Sequence, residues 1–134
     1  MKLFVYGSLR RGLYNYELYL KGKSAFLGYG YVMGELYSLK ERAYPALLPG
    51  NSRIIGEIYE VDEAVARAVD VLEEYVPGDP NNEYQKVLTE ILDEHGGYLD
   101  TLPVFWYHVE KPGNRKLLKD IIREHDFTAY CRVD

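Results

Sequence analysis

The stretch Leu3-Phe4-Val5-Tyr6-Gly7-Ser8-Leu9-Arg10-Arg11-Gly12 constrains the fold more than any other part of the chain. Phe4, Val5 and Tyr6 suit a pleated, half-buried surface, so the stretch starts as a strand. The strand runs into Gly7, where the backbone can turn sharply or let a ligand approach it closely. Ser8 adds a hydroxyl, and Gly12 closes the turn. Successive backbone N–H groups in such a turn form a concave nest for an anion or an oxyanion. The same residues also serve as an ordinary polar turn after a strand.

The rest of the chain fits one globular domain over residues 1–134. A chain this size buries roughly two-thirds of its unfolded surface, which is enough for a core without staples. With 47% apolar residues it is not a disordered chain. No apolar run approaches the roughly 20 residues of a membrane span. Met1-Lys2 leads straight into the first strand, without the apolar region of a signal peptide, which points to the cytoplasm. The single cysteine, Cys131, excludes an internal disulfide and a cysteine-based metal site. Net charge is −5 with both signs mixed along the chain, and the basic patch of a nucleic-acid binder is missing.

Periodicity then places the elements. Tyr14 to Lys21 reads as a short helix with Asn15 as its cap, a Glu17–Lys21 pair, and Gly22 as its end. Ser24 to Leu39 alternates around Gly28, Gly30 and Gly34, as two strands or one bent strand. Tyr44 to Gly50 is a proline-punctuated loop, and Arg53 to Val61 a third strand region. Asp62 caps the clearest helix, with Val65, Ala68, Val69 and Leu72 as its buried stripe. A polar loop leads to a hairpin, with strands over Tyr84 to Leu92 and Leu102 to Glu110 and a turn over Asp93 to Gly97. Asn114 is expected to cap a last helix whose apolar face is Leu117, Leu118, Ile121 and Ile122, with a strand or tail over Phe127 to Val133. The class is α+β, a mostly antiparallel sheet covered by two or three helices.

Few side chains offer chemistry. His95, His108 and His125 lack metal-ligand spacing, and Ser8 does not sit in a Gly-x-Ser-x-Gly elbow. Asp79, Asn81 and Glu83 lack the spacing of a calcium loop, so neither metal nor cofactor is expected. On the Asp62-capped helix, at about 100° per residue, Glu73 lies about 80° from Val65, Asp70 about 140° and Glu74 about 180°. Glu73 thus borders the buried face while Asp70 and Glu74 point outward. By itself this position also suits a solvated or ion-paired carboxylate.

Val5-Tyr6-Gly7-Ser8-Leu9 followed by Gly12 resembles the gamma-glutamylcyclotransferase-like family, nearest to its gamma-glutamylamine cyclotransferase group. Tyr44-Pro45-Ala46-Leu47 and Gly56-Glu57-Ile58-Tyr59-Glu60-Val61 have the same look, and the resemblance covers about residues 2–110. Residues 111–134, read as a C-terminal helix and tail, lie outside that pattern. The family's Leu-Asp-x-(Leu/Phe)-Glu run corresponds to Val69-Asp70-Val71-Leu72-Glu73, and its Tyr-x-Arg to Tyr84-Gln85-Lys86. Glu74 replaces a frequent glycine, Lys86 replaces the arginine, and the loop before Tyr84 is longer than usual.

The resemblance implies a small barrel-like sheet around a cavity. It implies Glu73 as the catalytic proton acceptor, and Tyr6, Gly7, Ser8, Leu9 and Tyr84 as substrate-binding residues. The expected reaction is intramolecular attack of a substrate's alpha-amine on its own gamma-carbonyl, releasing 5-oxoproline from a small-molecule gamma-glutamyl amine or amide. The alternative is a non-catalytic module that binds a small carboxylated ligand in the same cavity. A lone carboxylate beside an anionic ligand favours the enzyme.

Overall fold

The computed structural model describes residues 1–132. Six strands form one sheet in which every pairing is antiparallel: β1 (Lys2–Val5), β2 (Ser24–Leu39), β3 (Ala46–Val61), β4 (Tyr84–Leu92), β5 (Tyr98–Tyr107) and β6 (Leu118–Ile121). The order is β1-β3-β2-β4-β5, with β6 also on β2. Three helices accompany the sheet: α1 (Tyr14–Tyr19), α2 (Glu63–Leu72) and α3 (Phe127–Cys131). The expected α+β class is found.

The sheet curls but does not close by a backbone ladder among the described residues. Its end strands, β1 and β5, are joined by side chains instead. The Tyr6 hydroxyl donates to the Phe105 carbonyl, and Lys2 Nζ donates to Asp100 at 3.0 Å. Phe4 and Tyr6 point into the interior core with Val32, Leu36, Ile54 and Ile91. Val5, of opposite parity, packs on the helix side with Tyr59, Val65 and Val69. Gly30 and Gly56 face each other in the β2–β3 ladder, and a side chain on either would run into Ile91 or Phe4.

Ser24–Leu39 is one bent strand, with bulges at Phe26/Gly28 and Gly34/Glu35. The proline-punctuated stretch differs from its expected form. β3 already begins at Ala46, and Pro49, Gly50 and Asn51 are looped out where the register jumps from Gly34↔Ser52 to Glu35↔Leu48. A bulge tolerates the proline that a ladder would not.

Helix α1 is shorter than expected, and its N-cap is Leu13 rather than Asn15. Its Glu17–Lys21 pair forms at 3.1 Å, and Gly22 follows with a left-handed φ of 75°. In α2 the cap is as expected, with Asp62 accepting from the Val65 N–H at 2.9 Å. Its buried face, however, is Val65, Ala66 and Val69, and Ala68 is only partly covered. The stripe is rotated toward Glu73.

The C-terminal helix from Asn114 does not form. Arg115–Leu117 is a single 3₁₀ turn, and the next residues become β6, pairing Leu118 with Leu39 and Ile121 with Tyr37. Asn114 stands at the N-cap of that turn, but its side chain makes no capping bond; its amide donates to the His108 carbonyl at 2.8 Å. The apolar spacing suited a helix, but an unfilled edge of β2 gave these residues strand partners. His125 sits in the turn before α3 with φ 56°. Phe127 to Cys131 is helix rather than strand, capped by Asp126, and Val133 lies outside the described residues.

Candidate active site in the seam of the sheet

The gap between the two end strands holds a cavity of about 220 Å³. β1 forms one wall, β4 and β5 another, and α2 covers the opening with Ala66, Val69, Asp70 and Glu73. Tyr6, Gly7, Ser8, Leu9, Glu73 and Tyr84, singled out in the sequence, all line it. Glu74, one residue on, is exposed.

The loop after β1 is a tight turn closed by Arg10 N–H donating to the Gly7 carbonyl at 3.1 Å. Among the described residues, no acceptor takes the backbone N–H of Gly7, Ser8 or Leu9. Three unpaired donors beside a cavity are what an anion or oxyanion requires. The space at Gly7 is set by Pro45: a Cβ there would lie 2.9 Å from the proline Cδ and 3.1 Å from its Cγ. Glycine is thus needed for close packing at this point. The Ser8 hydroxyl accepts from the Asn15 amide at 2.9 Å, so Asn15 holds the loop instead of capping α1.

Glu73 is the C-cap of α2, its N–H donating to the Val69 carbonyl at 2.9 Å. Its carboxyl has no ion-pair or hydrogen-bond partner among the described residues. Burial pushes its pKa up to about 7, and the negative charges of Glu83 and Asp70 push in the same direction. Near neutrality such a group both takes and returns a proton. Glu74 ends the helix with φ 53°, and the next N–H, of Tyr75, reaches back to the Asp70 carbonyl at 2.9 Å. This is the left-handed helix stop that usually employs glycine.

Asp70 does not point outward as its helical phase alone implied. With the buried face recentred between Val65 and Ala66, it sits at the cavity wall and pairs with Lys86 Nζ at 2.7 Å. The Lys86 ammonium also lies 4.8 Å from the Tyr75 ring centre and 5.3 Å from that of Phe105. The site thus separates two carboxyls, one neutralised and one left free.

Buried tyrosines fix the remaining wall. Tyr84 donates its hydroxyl to the Pro45 carbonyl at 2.6 Å, so its proton is committed to the protein and its ring faces the cavity. Burial holds the Tyr6 and Tyr84 phenols well above their ordinary pKa, and the charge of Glu73 adds to this at both. Tyr44 donates to Glu83 at 2.9 Å; burial and then that bond raise it to about 12. These phenols stay neutral at physiological pH.

The sequence reading missed what holds the loop in place. Arg10 is 4% exposed and Glu57 3%. Glu57 Oε2 accepts from Arg10 Nε at 2.9 Å; Oε1 accepts from the Arg11 N–H at 2.8 Å and from the Tyr59 hydroxyl at 2.9 Å. Arg10 also donates to Asp126, the residue that caps α3 through the Ala129 N–H. The loop is thereby tied to β3 and to the C-terminal segment. The available signal was Glu57 itself, a charge inside the run Ile54-Ile55-Gly56-Glu57-Ile58.

Among the described residues no cluster of three His, Cys, Asp or Glu side chains could hold a metal. No helix there is long and apolar enough to cross a membrane.

Comparison with known proteins addresses the family and the fold. The family described as gamma-glutamyl cyclotransferase, AIG2-like, matches residues 3–129. A Methanocaldococcus jannaschii protein, provisionally named a gamma-glutamylcyclotransferase, is 41% identical over 93 residues, which cover 68% of this chain and 72% of its own. The gamma-L-glutamyl-butirosin B gamma-glutamyl cyclotransferase of Niallia circulans is 36% identical over 98 residues, covering 72% of this chain and 62% of its own. Among solved structures, the mouse AIG2-like protein superposes with a TM-score of 0.66 at 31% identity, covering 87% of this chain and 82% of its own.

Proposed function

The chain belongs to the AIG2-like gamma-glutamyl cyclotransferase family, and on that premise we propose that it releases 5-oxoproline from a small gamma-glutamyl amine or amide, with Glu73 as general base and then general acid. The observation that carries this reading is the free Glu73 carboxyl, held near pKa 7 in one cavity with the unpaired N–H groups of Gly7, Ser8 and Leu9.

The substrate brings its own nucleophile. Its alpha-amine, with an ordinary pKa of about 8, is mostly protonated at neutral pH. The ammonium proton is first lost to solvent, and Glu73 takes a second proton as the neutral nitrogen attacks the gamma-carbonyl carbon. A new C–N bond closes the five-membered ring, and the carbonyl oxygen becomes an oxyanion facing the loop N–H donors. Glu73 then protonates the departing nitrogen, the original amide C–N bond breaks, and the carbonyl reforms. The products are 5-oxoproline and an amine, and the carboxylate is regenerated.

Holding the substrate folded for attack supplies much of the rate, since intramolecular orientation is worth roughly 7–11 kcal/mol in favourable cases. Acid–base help adds about 10²–10⁴-fold. The cavity is smaller than the roughly 300–1,000 Å³ of drug-sized pockets, in keeping with a compact substrate.

The test is 5-oxoproline release from a panel of gamma-glutamyl compounds by wild type and Glu73→Gln. Release that Glu73→Gln lowers by about 10² or more is the expected result. Binding of 5-oxoproline without turnover of any compound would establish a binding module instead.

A further inference from the structure

The lining of the cavity extends beyond the loop and Glu73. The loop and Glu73 lie at one end, where β1 and α2 both finish. The lining continues back along both elements to Lys2, Glu63 and Arg67. Four residues of β1 span about 13 Å at about 3.3 Å per residue. Ten residues of α2 span about 15 Å at 1.5 Å per residue. A glutamyl group held at the loop sits at one end of this lining, which continues past it toward Lys2 and Glu63.

The Asp70–Lys86 pair stands between the two ends of the lining, about one helical turn before Glu73 and beside Phe105, and the stretch beyond it is walled by Leu3, Ala66 and Pro103. Each member of that pair is half-buried, with 27% of its side chain exposed. Lys86 is further held against Tyr75 and Phe105. Farther out, Lys2 is engaged with Asp100 at 3.0 Å, and Glu63 with Arg67 at 4.0 Å. Every charge along this arm already has its opposite.

From this arrangement we infer that the arm along β1 and α2 is the leaving-amine subsite, and that the Asp70–Lys86 pair selects leaving amines whose distal part carries no net charge, alkyl or aryl amines above all. The inference rests on the cyclotransferase reading. An anionic distal group gains from Lys86 only by drawing it off Asp70, which leaves a half-buried carboxylate unpaired. A cationic one does the reverse. Either exchange costs more than it returns in a partly desolvated groove. An apolar chain disturbs neither partner and covers the walls of Leu3, Ala66 and Pro103.

The experiment uses three probes with the same reacting half: gamma-glutamyl-n-butylamide, gamma-glutamyl-alanine with an anionic distal group, and gamma-glutamyl-putrescine with a cationic one. kcat/KM for 5-oxoproline release is measured on wild type, Asp70→Asn, Lys86→Met and Lys86→Arg. Kd for each probe is measured by calorimetry in the Glu73→Gln background. Wild type prefers the butylamide over both charged probes by about tenfold or more. Asp70→Asn frees the lysine and raises the alanine-to-butylamide ratio about tenfold. Lys86→Met frees the aspartate while keeping the stem over Tyr75 and Phe105, and it raises the putrescine-to-butylamide ratio by a similar factor. Lys86→Arg retains the pair and the wild-type order.

Ratios within one protein cancel any general change in turnover or in the Glu73 proton. If release occurs but the ratios stay flat in Asp70→Asn and Lys86→Met, the subsite assignment is overturned while cyclisation stands. If no probe is turned over but the Kd ratios shift as described, the subsite stands and the cyclisation reading falls. If no probe binds, both fall.

Discussion

Replacing Glu73 by Gln separates its cost to the fold from its use in the site. The carboxyl titrates at about 7 in the folded protein against an ordinary 4.5, so the native state holds its proton more tightly than the unfolded chain does. Stability from this group is complete below about pH 4.5 and is lost as pH rises through about 7. At 1.36 kcal/mol per pH unit the loss has an upper bound of about 3 kcal/mol, and solvent reaching the cavity lowers it to about 1–3 kcal/mol. Glutamine mimics the protonated form in shape and charge. Glu73→Gln is therefore expected to match wild type within about 0.5 kcal/mol near pH 4 and to be about 1–3 kcal/mol more stable near pH 8.5. Urea unfolding of both proteins at the two pH values reads this directly. In the same reasoning, wild-type kcat/KM falls on the acid side with an apparent pKa of about 7. Parallel stability profiles for the two proteins would refute the claim that Glu73 is the strained, proton-exchanging carboxyl. An acid limb near 4.5 would do the same.

Three other substitutions probe the supports of the site. Gly7→Ala drives a Cβ against Pro45, whose carbonyl holds the Tyr84 hydroxyl, and should destabilise the protein by about 1–3 kcal/mol and weaken 5-oxoproline binding more than Ser8→Ala does, as measured by calorimetry. Glu74→Gly relieves the left-handed position after α2 and should add about 0.5–1 kcal/mol, seen as a raised Tm, with 5-oxoproline release unchanged. Glu57→Gln weakens the acceptor shared by Arg10, Arg11 and Tyr59; a loss of about 2–4 kcal/mol in urea unfolding is expected, together with a raised KM from the slackened loop.

Local signals made much of this site legible. Helix phase alone set Glu73 on the buried border and sent Glu74 outward, while the meeting of Glu73 with the Tyr6–Leu9 loop rested on the family resemblance. The family pattern's glycine after the glutamate corresponds to the residue with φ 53°, so the departure at Glu74 marks a strained helix stop. Asp70 was misplaced because its angle was counted from Val65, whereas the real buried face turns toward Ala66. The C-terminal segment misled because Leu117, Leu118, Ile121 and Ile122 satisfy helical spacing, and only the folded sheet reveals the edge of β2 that takes them as a strand. The Arg10–Glu57–Asp126 network joins residues 47 and 116 positions apart, and no local pattern encodes such a pairing.

The pairing of β1 with β3 has a consequence for how the cavity comes into being. Lys2–Val5 must find Glu57–Glu60, closing a loop of more than 50 residues. β2 and β3, by contrast, are joined through a short connection and zip together locally. Loop-closure entropy delays the distant pairing, so the long hairpin forms first and β1 docks onto it late. Without β1 the cavity has no inner wall and no N–H cradle. The site is therefore absent from the early folding ensemble and complete only on the native side of the barrier. A ligand bound there cannot speed folding; it prolongs the life of the folded state by slowing unfolding.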